Sequence, residues 1–149
     1  MVNMLRLTFE PDSNGIGQLF AEVKSRGFSG HSSAWFHVDD LVAFARKLAT
    51  SYPLTPDAPL KLEGGYLKKI DGGIEQIHLG LKFFPSGSVG HVACRVSLTD
   101  PFSGHGRPDS ESTVVVELGT TYEPLRTFAK SLEALATGGV DEAVLGHEA

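Results

Sequence analysis

Six histidines and one cysteine are the residues whose types most readily do chemistry: His31, His37, His78, His91, His105, His147 and Cys94. A tetrahedral zinc site needs ligands at set spacings, such as two histidines one helical turn apart or a Cys-x2-Cys knuckle. Neither spacing occurs, so no metal site and no cofactor are expected. Cys94 falls with Val92, Val96 and Leu98 on the apolar side of its segment, which predicts a buried thiol near Leu79. Ser103, His105 and Asp109 have the residue types of a hydrolytic triad. They share one glycine-bearing loop, however, whereas a triad needs separate rigid elements to fix its hydrogen bonds. Gly15-Ile16-Gly17 is not followed by a helical pattern, so it does not read as a phosphate cradle. No residue is therefore assigned to catalysis, and the expectation is a protein that is not an enzyme.

Binding chemistry is better represented. Ile77, Leu79, Leu81 and Phe83 alternate with Gln76, His78, Gly80 and Lys82. After a turn at Pro85-Ser86-Gly87-Ser88, Val92, Cys94, Val96 and Leu98 alternate with His91, Ala93, Arg95 and Ser97. This is the period of two antiparallel strands over 75–84 and 88–98. With Ser86-Gly87 as the loop, Leu81 opposes Val92 and Leu79 opposes Cys94. Lys82 then opposes His91, and His78 opposes Arg95. His78, Lys82, His91 and Arg95 form a cationic face, suited to a carboxylate, a phosphate or an acidic partner. Such a face can equally be a plain solvated surface, with Glu117 paired to Arg95. Trp35 is the second candidate, with His37 beside it on the same side of a short strand. If it faces outward it is a binding anchor; if its strand is covered on both sides it is core.

The elements that must position these residues follow from apolar period. Residues 4–10, 16–25 and 33–38 alternate as strands, with turn chemistry at Pro11–Gly15. Leu41, Phe44, Ala45, Leu48 and Tyr52 fall on one helical face, predicting a helix over 39–52 capped by Asp39. Residues 53–58 form a loop. Leu60 and Leu62 mark a strand, as do Val114, Val116 and Leu118, and 99–112 is the longest loop. Leu125, Phe128, Ala129, Leu132 and Leu135 predict a helix over 121–137, with Thr120 and Glu123 as a capping box and Gly138-Gly139 as its end. No internal repeat is read. The expected fold is α+β: an antiparallel, curved sheet with two amphipathic helices packed on it, as one domain over 1–139 with a loosely held tail over 140–149.

At 149 residues, 41% hydrophobic and 21% charged, the chain can bury an ordinary core without disulfides or metals. A lone cysteine suits a reducing compartment. The N-terminal residues lack a basic start and continuous apolar run, and no window is apolar enough to span a bilayer. A net charge of -5 argues against nucleic acid as a partner. The expected location is cytoplasmic, with no membrane partner.

Trp35 with the helix entry Val38-Asp39-Asp40-Leu41, then Phe44 and Leu48, the strands Gln76–Leu81 and Gly90–Val96, and the helix Leu125–Leu132 together resemble the small bacterial immunity proteins of the WapI type. The resemblance implies a non-enzymatic domain that binds another protein, a toxin, and blocks it. It carries over no individual binding residue. The alternatives are a small-ligand or anion-binding module on the cationic hairpin face, or an enzyme with dispersed active-site residues. Homo-oligomerisation is left open.

Overall fold

A computed structural model describes residues 3–67, 74–87, 89–100 and 112–147. The order is β1 (Asn3–Pro11), β2 (Ile16–Ser25), β3 (Phe28–His37), α1 (Val38–Thr50), β4 (Leu60–Leu67), β5 (Ile74–Pro85), β6 (His91–Asp100), β7 (Ser112–Thr121), α2 (Tyr122–Ala136) and β8 (Ala143–His147). The strands make two antiparallel sheets, ordered β3-β2-β1-β8 and β4-β5-β6-β7. The α+β class is therefore right, although the strands divide into two sheets rather than one. No helix is long and apolar enough to cross a membrane among the described residues.

Alternation decides which side of each strand is buried. In the first sheet Leu5, Leu7, Leu19, Ala21, Val23, Ala34 and Phe36 turn inward. In the second, Leu79, Leu81, Phe83, Cys94, Val96, Val116 and Leu118 do so. Both sets join one apolar cluster with Leu41, Phe44 and Leu48 of α1 and Leu125, Phe128 and Leu132 of α2. At its centre the Phe83 ring lies 6.0 Å from that of Phe44 and 6.3 Å from that of Phe128. The two sheets also touch directly where β3 crosses: a Cβ on Gly64 would lie 2.6 Å from the Phe36 ring.

Cys94 is fully buried, opposite Phe83 and Leu118 rather than near Leu79. Burial pushes its thiol pKa up, which keeps it protonated at neutral pH. A thiol reagent should therefore label the folded protein only as slowly as it opens, and rapid stoichiometric labelling would contradict this placement. Cys94→Ser should cost about 1–3 kcal/mol in a denaturant titration, because it puts a hydroxyl in an apolar site.

Several local expectations change. The β2–β3 connection is a two-residue turn at Arg26 and Gly27, both with positive φ, so β3 starts at Phe28 and is longer than expected. The cap of α1 is His37 rather than Asp39, and Asp39 and Asp40 lie in its first turn, where they oppose the positive end of the helix dipole. Thr121, not Thr120, precedes α2, and no side chain caps it. The glycine stop is as expected: Gly138 has φ +87, and Gly139 N–H donates to the Ala134 carbonyl while Gly138 N–H donates to that of Leu135. The segment expected to be a loose tail instead supplies β8, which pairs with β1.

The two halves follow one plan, which corrects the reading that the chain has no repeat. Each half has three antiparallel strands, a helix beginning at the next residue, and a final strand. Each final strand joins the first strand of a half: β4 pairs with β5, and β8 with β1. The first half thus lends β4 to the second sheet, and the second lends β8 to the first. Leu5-x-Leu7-x-Phe9-x-Pro11 recurs as Leu79-x-Leu81-x-Phe83-x-Pro85. Leu41, Phe44, Ala45 and Leu48 recur as Leu125, Phe128, Ala129 and Leu132.

Candidate functional sites on the two outward faces

The helices cover the inward face of each sheet, which leaves the outward faces to carry function. On the second sheet, one row crosses all four strands: Lys61 pairs with Lys82, Lys82 with Arg95, and Arg95 with Glu117. Like charges directly opposite one another disfavour the pairing by tenths of a kcal/mol. Lys82 Nζ stands 5.6 Å from the Phe84 ring centroid, and the Arg95 guanidinium 5.7 Å, so the ring receives two cations. Arg95 Nη2 lies 3.5 Å from Glu117 Oε1, and both side chains are half exposed. Among the described residues neither Lys61 nor Lys82 has a carboxylate within ion-pair distance. The nearby Ile77 and Val115 are exposed apolar residues, which makes the face amphipathic.

Of the four hairpin residues expected here, Lys82 and Arg95 stand together, directly opposite each other. The expected pairs are displaced by four residues, because the β5–β6 connection runs from Ser86 to Gly90 rather than through two residues. Four is an even shift, so every side chain keeps its face. His91 is exposed on the same face but opposite Thr121, about 13 Å along β6 from Arg95. His78 is displaced from the face. A bulge lets Gly64 pair with Leu79 and Gly65 with Ile77, so the register with β4 skips His78. It is 7% exposed and its Nε2 lies 2.9 Å from Gln76 Oε1, while Ile77 turns outward in its place. Lys61 was missed because the sequence does not show that β4 pairs with β5 in the register that sets Lys61 against Lys82.

On the first sheet the outward row equivalent to Lys82, Arg95 and Glu117 is Thr8, Phe20 and Ser33. Next to it stand Gln18 and Trp35, with Gln18 Nε2 donating to Ser33 Oγ at 2.8 Å. Trp35 is 56% exposed, which resolves its orientation outward. His37 is also exposed, opposite Ile16. The other flank of the row opens into a cleft of about 840 Å³ between this face and the adjoining ends of β6 and β7. Arg6, Phe20, Glu22, Lys24, His31 and Asp100 line it. Arg6 Nη1 is 3.4 Å from Glu22. Arg6 Nε, itself out of solvent, is 3.1 Å from Glu142 in a contact too bent to be a good hydrogen bond.

Among the described residues no three His, Cys, Asp or Glu side chains group as a metal site. Ser103, His105 and Asp109 lie outside the described residues, and so does the side chain of His147. Comparison with family models, with curated proteins and with solved structures finds no match to this chain.

Proposed function

We propose that this chain is a non-enzymatic protein-binding domain whose second sheet presents its outward face to an acidic surface of the partner. The observation that carries this reading is the row Lys61, Lys82, Arg95, which gathers three cations on a protein of net charge -5. The mixture of cations, the Phe84 ring beneath them and the exposed Ile77 and Val115 at the flank is the chemistry of a macromolecular interface. An immunity protein that blocks a bacterial toxin is the specific form suggested by the sequence resemblance, and such an inhibitor would act inside the cell.

The test is a heteronuclear NMR titration with an oligo-aspartate peptide and, separately, with inorganic phosphate. The peptide should shift the amides around Lys61, Lys82 and Arg95, and added salt should weaken it. Lys82→Glu with Arg95→Glu should weaken binding by about 1–3 kcal/mol, the scale of lost charge-assisted hydrogen bonds. Thermal stability should hardly move, because exposed charges contribute little to it. Saturation by phosphate as tightly as by peptide would favour an anion-binding module. No shift with either probe would refute the assignment of this face.

A further inference from the structure

We propose that the outward face of the first sheet, from Trp35 into the cleft beside Phe20, is a binding site for a neutral oligosaccharide. The duplicated architecture makes the case by contrast. Thr8, Phe20 and Ser33 occupy the framework positions that hold Lys82, Arg95 and Glu117 in the other half. One row is charged; its counterpart is an aromatic ring between two hydroxyls. The same backbone presents a different chemistry, so this second face would select a different ligand from the first.

The charges of the cleft argue for neutrality. Among the described residues its lining holds two cations, Arg6 and Lys24, two carboxylates, Glu22 and Asp100, and His31. Arg6 is held between Glu22 and Glu142. An ionic ligand would have to lose its hydration without a net opposite charge to receive it. A sugar asks for no such compensation. Its ring has an apolar C–H side that stacks on an aromatic face and a rim of hydroxyls that both donate and accept. Trp35 and Phe20 supply the faces. Thr8, Ser33 and Gln18 supply neutral hydrogen-bonding groups, with Gln18 already oriented by its bond to Ser33.

The dimensions suit more than one ring. The cleft volume of about 840 Å³ lies in the range of small-ligand sites. The path along β2 from Gln18, beside Trp35, to Lys24 at the far end is about 20 Å at the rise of an extended strand. An exposed tryptophan at the mouth of such a path is the kind of residue on which binding energy concentrates.

The test uses the full chain, with cellohexaose, xylohexaose, maltohexaose and chitohexaose as probes. Trp35 is the single tryptophan, so its fluorescence reads the site directly. At least one probe should give a saturable change, with an affinity that hardly varies between about 0.05 and about 0.5 M salt. Trp35→Ala, read by calorimetry, and Phe20→Ala should each weaken it about tenfold or more, with circular dichroism reporting that both fold. Lys82→Glu with Arg95→Glu should leave it unchanged, which separates this site from the cationic face. The proposal is overturned if no neutral saccharide binds at millimolar concentration. It is also overturned if salt abolishes the binding, or if a folded Trp35→Ala keeps full affinity.

Discussion

Phe83→Ala is expected to lower the free energy of unfolding by about 3–5 kcal/mol. The side chain is fully buried, and its ring lies between Phe44 of α1 and Phe128 of α2. Truncation would remove the contact that joins the second sheet to both helices at once. The hole would be lined by rings on two rigid helices, which cannot easily collapse into it. Domains are stable by roughly 5–15 kcal/mol, so this is a large fraction of the total. Denaturant unfolding should show a lower midpoint with the slope preserved. Phe9 holds the equivalent position in the first half, but it is only partly buried at the edge of the cluster. Phe9→Ala should therefore cost clearly less. Equal losses at the two sites would mean that Phe83 is not the centre of the core.

The cationic face was partly legible in the sequence because the property that defines it is parity. Alternation assigns Lys82 and Arg95 to the side opposite Phe83 and Cys94 whatever the length of the turn, provided the register moves by an even number. The partners were not legible, since nothing in Pro85–Gly90 distinguishes a two-residue loop from a longer one. His78 failed for a different reason: it is itself the residue at which a bulge interrupts the period of two. The cause lies in another strand. A Cβ on Gly65 would collide with the Gln76 carbonyl, so β4 comes against β5 where only glycine fits. The pair Gly64-Gly65 was visible in the sequence, but its meaning depended on knowing which strand lay alongside.

The repeat was legible and overlooked. Its matched residues are spread over alternate strand positions and one helical stripe, while the outward strand residues between them, such as Thr8, Phe20 and Ser33 against Lys82, Arg95 and Glu117, have diverged. Divergence of that pattern is what two outward faces with separate ligands would require. Inward residues of the first strand of each half answer to one core and keep their types, as Leu79, Leu81 and Phe83 do with Leu5, Leu7 and Phe9. Arg6, Phe20 and Lys24 share the outward side of the β1–β2 hairpin, but only the approach of β3 to β6 and β7 sets Asp100 against them, and nothing local in the sequence signals that.

The exchange of final strands makes the C-terminal segment part of the fold, and Leu145→Ala tests this. Leu145 is 2% exposed and pairs with Leu5, itself fully buried, in the β1–β8 ladder. The substitution should cost about 2–5 kcal/mol, the usual loss for a buried leucine. Val144, its half-buried neighbour on the outward side, should cost markedly less when changed to alanine. Hydrogen exchange gives a second readout. β8 covers the edge of β1, so Leu145→Ala should speed exchange in β1 more than in β7, which does not border it. A loosely held tail predicts the contrary: both variants near wild type, and no change of protection in β1. Ala143 and Leu145 occupy the positions at which Leu62 and Gly64 of β4 meet β5. Losing β8 would therefore expose the edge of β1 just as losing β4 would expose the edge of β5, and each half depends on the other half's last strand to close its sheet.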